Sequence, residues 1–191
     1  MRLRKVLYMR RIFLFFVACL LITTPVFAEE SPVVDGALGL KWGDSEEQIK
    51  NVAIEKGYDY TISAKTNSRC YELIYSGTVA GYFSVITFST IDDQLFSIDL
   101  LLDAPQNRYL KFLILETRLA EKYGQPTLKK HDSDNQAAFW RLEAPDGNSV
   151  FILLKANDKA GLNLSYAYEP LFTEYFAIRE QQEREITEKD L

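Results

Sequence analysis

Leu95-Phe96-Ser97-Ile98-Asp99-Leu100-Leu101-Leu102, followed at once by Asp103-Ala104-Pro105, is the stretch on which the fold turns. Phe96, Ile98, Leu100 and Leu102 alternate with Leu95, Ser97, Asp99 and Leu101, the two-residue period of a half-buried strand. Past Pro105 the spacing changes. Tyr109, Phe112, Leu113, Leu115, Leu119, Ala120 and Tyr123 recur at helical intervals until Gly124 and Pro126 stop them. Asp103 is the candidate N-cap, and Pro105 suits a first helical turn. So wide an apolar stripe predicts a helix mostly buried against a sheet.

Toward the N-terminus, residues 70–75 and 82–89 share the strand period, with Gly77, Gly81 and Asp92-Asp93 marking turns, so three strands form a meander. Before them, Asp44-Ser45-Glu46-Glu47 reads as a capping-box start, with Asp44 answered by Glu47. Ile49, Val52, Ala53 and Lys56 follow at helical spacing, and Gly57 is the left-handed stop. Toward the C-terminus, residues 129–135 read as a polar loop and strands resume at 138–143, 149–155 and 162–168. Pro145-Asp146-Gly147-Asn148 is a strong turn signal between the first two.

The order is therefore αβββ, then αβββ again, and Glu55-Lys56-Gly57-Tyr58 closes the first helix much as Glu121-Lys122-Tyr123-Gly124 closes the second. The expected class is α+β: two tandem helix-plus-antiparallel-meander units, 38–102 and 103–169, in a two-layer domain behind a linker at 29–37. Residues 170–191 add an amphipathic C-terminal helix. Leu171, Phe172, Tyr175, Phe176 and Ile178 supply its docking face before the chain becomes almost wholly charged.

Residues 1–28 read as a secretory signal peptide. Arg2, Arg4, Lys5, Arg10 and Arg11 precede an apolar run from Ile12 to Ile22, and Val26 and Ala28 are the small side chains before a cleavage site. Cleavage after Ala28 is expected, giving a periplasmic or secreted protein. The apolar run is short of the roughly 20 residues that cross a bilayer core. Met9 begins a more compact leader than Met1, and Phe16-Val17-Ala18-Cys19 resembles a lipobox, so translation from Met9 and lipidation at Cys19 are alternatives.

Loss of the leader takes five of the 22 basic side chains and none of the 27 acidic ones, which lowers the formal charge from −5 to −10. That excludes a nucleic-acid partner, since phosphates require a basic excess. Cys70 is then the only cysteine, so no intramolecular disulfide forms. It is expected to be a buried thiol, with a disulfide-linked dimer through Cys70 as the alternative.

The inventory for catalysis is thin. His131 is the only histidine and sits in the polar stretch read as a loop, which points to a solvated side chain rather than a general base. One histidine and one cysteine give no zinc-ligand spacing, and Asp132, Asp134 and Asn135 lack the glycine and distal glutamate of a calcium loop. Gly36-Ala37-Leu38-Gly39 lacks the lysine of a phosphate loop. No cofactor, no metal and no catalytic residue is expected. Glu116, Glu121 and Glu143 are the carboxylates that a sugar hydrolase would need, with nothing in the sequence to pair them. Tyrosine is the remaining recognition chemistry. Tyr71, Tyr75, Tyr82, Tyr166 and Tyr168 fall on strands, where they form either an interaction surface or the edge of the core.

Gly39-Leu40-Lys41-Trp42-Gly43-Asp44-Ser45, Lys122-Tyr123-Gly124-Gln125-Pro126-Thr127 and Phe139-Trp140 together resemble a pattern of small exported bacterial proteins of unknown function. The layout of a repeated helix and meander is also similar to that of the beta-lactamase inhibitory proteins. That similarity implies a sheet used to grip a protein, with no inhibitory residue carried over. The expectation is a non-enzymatic exported protein that binds an envelope protein or component through its aromatic sheet face or its charged C-terminal helix. A carboxylate-dependent hydrolase and a carrier of a small apolar ligand held between the second helix and the sheet are the alternatives.

Overall fold

The computed structural model describes residues 32–104, 106–132, 135–157 and 161–189, with side chains as far as Arg184. The predicted leader, the start at Met1 or Met9, Cys19, Pro105 and Asp134 lie outside the described residues. The elements are β1 (Gly36–Ala37), β2 (Leu40–Lys41), α1 (Glu46–Glu55), β3 (Asp59–Lys65), β4 (Cys70–Val79), β5 (Tyr82–Ile91), β6 (Gln94–Leu102), α2 (Arg108–Tyr123), β7 (Leu128–His131), β8 (Asn135–Glu143), β9 (Ser149–Asn157), β10 (Gly161–Tyr168) and α3 (Glu169–Lys189).

The protein is α+β. Strands β3 to β10 form one eight-stranded antiparallel sheet in the order β3-β4-β5-β6-β10-β9-β8-β7, and β1 pairs with β2 in a separate hairpin. The first two helices are each followed by four strands, not three. The additional strands, β3 and β7, are the two edges of the sheet, and residues 129–131 are strand rather than loop. Lys129 pairs with Ala138 and His131 with Gln136, while the exposed residues of β7 carry no buried apolar face to announce it. The two meanders meet at β6 and β10, where Leu100 lies opposite Leu164 and Ile98 opposite Tyr166.

One core fills the space between α1, α2 and one face of the sheet. Ile49 and Ala53 reach it from α1, Phe112, Leu115, Leu119 and Tyr123 from α2, and Phe88, Ile98, Trp140, Ile152 and Leu154 from the strands. The third helix packs on the opposite face, so helices cover both sides of the sheet instead of forming two layers. A β-bulge decides this. Ser97 pairs with Ser89 but Leu95 pairs with Thr90, so Phe96 has no partner and turns away from the face shared by Ile98, Leu100 and Leu102. With Cys70 and Ile91 it makes a second cluster under Leu171, Phe172, Tyr175 and Ile178 of α3.

The helix starts differ from expectation in instructive ways. Ser45, not Asp44, caps α1: its hydroxyl accepts from Gln48 N, and the Gln48 side chain accepts from Ser45 N in return. Asp44 accepts from the Lys41 backbone at 2.8 Å. Asn107, not Asp103, precedes α2, in a left-handed conformation and without a side-chain cap bond. Residues 33–37 are part of the domain rather than linker. Val34 is buried and donates to Glu143 O at 2.8 Å, and Gly36 pairs with Lys41.

The hairpin turn after β4 places Ala80 at φ 52° and Gly81 at φ 87°. An L-residue there holds about 1–2 kcal/mol of left-handed strain. Ala80→Gly removes it at the cost of greater unfolded-state entropy, so a net gain of roughly 0.5–1 kcal/mol is expected as a higher denaturant midpoint. An unchanged or lower midpoint would show that the turn tolerates alanine without strain.

Candidate functional site

A groove of about 710 Å³ opens at one end of the sheet, where the β1–β2 hairpin, the β5–β6 turn, the β8–β9 turn and the junction of β10 with α3 converge. Trp42 and Tyr168 form its aromatic wall, their rings stacked at 6.2 Å between centroids and 10° apart in plane. Pro145, Pro170 and Leu171 add apolar surface, and Asp35, Lys41, Gln94 and Asp146 supply the polar groups.

Local structure places each of these side chains. Trp42 N donates to Asp35 O at 3.0 Å, which closes the hairpin and sets Asp35 beside the indole. The indole N–H donates to Val34 O at 3.1 Å, so its donor is used inside the chain and the ring presents a face. Gly43 N donates to Leu95 O and Leu95 N to Asp44 O, which tie the hairpin to β6 and bring Gln94 to the rim. At the other wall, the Tyr168 hydroxyl donates to Asp146. Asn148 adds its backbone N–H at 3.1 Å and its side-chain amide at 2.9 Å to the same carboxylate. These donors, the Tyr168 hydroxyl foremost, hold the Asp146 carboxyl below its ordinary value. A general acid needs the opposite shift.

The five tyrosines, read as either an interaction surface or the edge of the core, divide between core and surface. Tyr75 is 3% and Tyr166 8% exposed, both in the core, because the pleat that faces α1 and α2 carries Leu73, Tyr75, Ile98 and Tyr166 inward. Tyr75 meets the rings of Tyr60 and Phe88 edge-on, and burial first, then Tyr123, pushes the Tyr166 phenol far up. Tyr71 lies under Lys65 and Tyr82 under Lys111, each a cation–π contact. Tyr168 alone of the five lines the groove. Asp35, Trp42, Gln94 and Asp146 join it there without having stood out in the sequence. Trp42 and Asp146 had signals, the Trp-Gly-Asp-Ser stretch and the Pro-Asp-Gly-Asn turn, but both read as punctuation.

A second, smaller concavity of about 320 Å³ holds Glu116 and Glu121 together on α2, with Lys129 from β7. Glu143 is elsewhere, at the end of β8. Glu116 is buried. Lys129 Nζ stands 2.7 Å from Oε1, an ionic contact without hydrogen-bond alignment, and His131 Nε2 stands 3.5 Å from Oε2. His131 is thus exposed, as expected, but lies on the edge strand rather than in a loop, its ring edge-on to Phe112 at 5.6 Å. Glu116 meets the Lys129 ammonium through one oxygen and the His131 ring through the other, which is how a structural carboxylate ties an edge strand to a helix.

On the opposite face, α3 is fastened by Arg69. Its Nε donates to both oxygens of Asp92 at 2.9 Å and its Nη2 reaches Glu174 Oε1 at 2.6 Å. Asp92 and Asp93 occupy the β5–β6 turn at φ 48° and 63°. Asp93 accepts from Glu46 N, so the strained turn anchors both α1 and α3. The hydrogen bonds from Arg69 hold the Asp92 carboxyl below its ordinary value of 3.8. A lowered folded value contributes stability that is complete above 3.8 and lost as the pH falls below it. The Arg69–Asp92 link is therefore expected to hold down to that pH and to weaken beneath it, read as a fall in the denaturant midpoint that Asp92→Asn removes; an equal fall in Asp92→Asn would refute the link.

Cys70 is the one cysteine among the described residues, and burial pushes its thiol up. It lies beneath Leu171 and Phe172, so an intermolecular disulfide requires α3 to lift. Thiol reagents should modify Cys70 only as the protein unfolds. Modification of the native protein at the rate of a free thiol would overturn this.

No helix of the described residues is long and apolar enough to cross a membrane, and no group of three or more metal-ligating side chains is found among them. Compared with protein-family models, curated proteins and solved structures, the chain matches none.

Proposed function

We propose that this chain is a non-enzymatic binding protein of the periplasm or the cell exterior, and that it takes its ligand, an envelope protein or component, in the groove walled by Trp42 and Tyr168. The observation that carries the reading is this aromatic pair at the mouth of a pocket of about 710 Å³, within the range of ligand sites, with a few polar side chains around an apolar surface. The leader-like sequence of residues 1–28 supports the address. A lowered Asp146 and an ion-paired Glu116 speak against carboxylate hydrolysis. The space between α2 and the sheet is filled by Phe112, Leu115, Leu119, Trp140 and Ile152, which speaks against an apolar ligand carried there.

We also read the two helix-plus-meander halves as a tandem duplication. The mirrored strand order on either side of β6 and β10 supports it. The second half then provides the β8–β9 turn and β10 for the groove, while the first provides the turn at Gln94.

Retention of fractionated envelope material on the immobilised protein tests the function. Wild type is expected to retain a component that Trp42→Ala does not. Gln94→Arg, a change at an exposed rim position that obstructs the groove, should lose it too while melting as wild type does. Equal retention by all three proteins would sink the groove as the binding site.

A further inference from the structure

The groove's polar groups differ in one respect that bears on what it accepts. Asp146 is occupied by Tyr168 and Asn148. The Asp35 carboxylate makes no side-chain hydrogen bond or ion pair among the described residues; only its backbone oxygen is used, by Trp42. Both aromatic side chains have their polar atoms engaged, the indole N–H with Val34 O and the phenol with Asp146, and so offer π surface rather than donors. Among the described residues, Lys41 is the single cation of the lining. The alternation that buries Leu40 turns Lys41 outward.

An aromatic ledge with a carboxylate at each side is therefore the chemistry presented. The carboxylate at the Trp42 end is open to a ligand, and the other is fixed at the Tyr168 end. Ring faces attract cations through their quadrupole, and carboxylates add charge-assisted hydrogen bonds. Pro145, Pro170 and Leu171 continue the surface as an apolar track for an aliphatic stem. The chain's net charge of −5 draws a cation toward it over longer range.

We infer that the groove takes an organic cation, a guanidinium or ammonium group on an aliphatic stem, seated on Trp42 and Tyr168 between Asp35 and Asp146. This rests on the reading of the groove as the binding site. A basic side chain of a peptide and a free polyamine carry the same chemistry. A neutral sugar also stacks on ring faces and donates its hydroxyls to a carboxylate, but it brings no charge to balance one left without a cation.

The experiment follows the Trp42 indole resonance while the full chain is titrated with four probes. These are an arginine-bearing tripeptide, the same peptide with citrulline in place of arginine, a linear polyamine and a neutral oligosaccharide. The arginine peptide should shift the Trp42 signal and the citrulline peptide should bind at least about tenfold more weakly, since citrulline keeps the shape and loses the charge. Asp35→Asn should weaken the arginine peptide about fivefold or more without moving the melting midpoint. Added salt should weaken it as well. Binding of the polyamine with the peptide assigns the cation irrespective of carrier; binding of the peptide alone assigns a basic polypeptide. Equal affinity for arginine and citrulline peptides, or a response to the oligosaccharide alone, overturns the cation and leaves the groove standing. No response of Trp42 to any probe also overturns the cation, and the retention experiment with Trp42→Ala then judges the groove separately.

Discussion

Trp140→Ala should cost the fold about 3–5 kcal/mol, the range for truncating a large aromatic in a packed core. Trp140 is 1% exposed, pairs from β8 with Ile152 of β9, and donates its indole N–H to Gly124 O at 2.8 Å. It joins the middle of the second meander to the end of α2. Two losses therefore coincide: a cavity against Ile152 and its neighbours, and an unmade bond at the end of the helix. Domains of this size are commonly stable by only about 5–15 kcal/mol, so a large fraction of the population would unfold under mild denaturant. The measurement is a urea titration, with the midpoint falling and the slope unchanged. Trp140→Phe separates the two contributions, since it retains most of the ring but not the donor, and should lose about 1 kcal/mol for the bond in addition to a small packing loss. A cost below about 1 kcal/mol for the alanine variant would mean that the core collapses around the gap and that Trp140 does not organise it.

Gly36→Ala should dismantle the groove. A Cβ at Gly36 would lie 1.8 Å from Leu40 O and 2.7 Å from Lys41 Cα. These are backbone atoms of the facing strand and have no rotamer by which to withdraw. The hairpin must open, with an expected cost of about 1–3 kcal/mol and displacement of Trp42 from Tyr168. Gly43 gives the comparison. Nothing lies within 4 Å of the place a Cβ would take at Gly43, yet its φ of +85° disfavours a side chain, so Gly43→Ala carries strain without collision and should leave the aromatic pair in contact. Through-space contacts between the Trp42 and Tyr168 rings report the outcome. Their persistence in Gly36→Ala would show that the hairpin shifts without carrying Trp42 along.

Much of the fold is legible in local sequence because burial writes a period into it. Residues 95–102 read as a strand and 108–123 as a helix since apolar residues recur there at intervals of two and near 3.6 residues. The edge strands escape for the complementary reason. Residues 59–65 and 128–131 are held by backbone pairing to β4 and β8 and bury almost no side chain, so no apolar pattern betrays them. Alternation alone puts Phe96 on the wrong face, because a bulge changes which way a side chain points without changing the residues. The bulge depends on pairing with β5, which lies outside any local window. His131 shows the same limit, since its contact with Glu116 joins two elements that local reading takes one at a time.

The sequence by itself determined the helices and the six central strands, the repeated order of a helix followed by strands, the amphipathic tail that docks as α3 and the acidic balance. These follow from composition and from periodicity over neighbouring residues. Only the tertiary structure decided that the two meanders join edge to edge at β6 and β10, that α3 covers the face opposite α1 and α2, and that Asp35, Trp42, Gln94, Asp146 and Tyr168 meet. Those five come from four separate turns and termini, each shaped locally to close a hairpin or start a helix. Their common position is set by strand register across the sheet, a sum of backbone pairings that no single stretch of residues records.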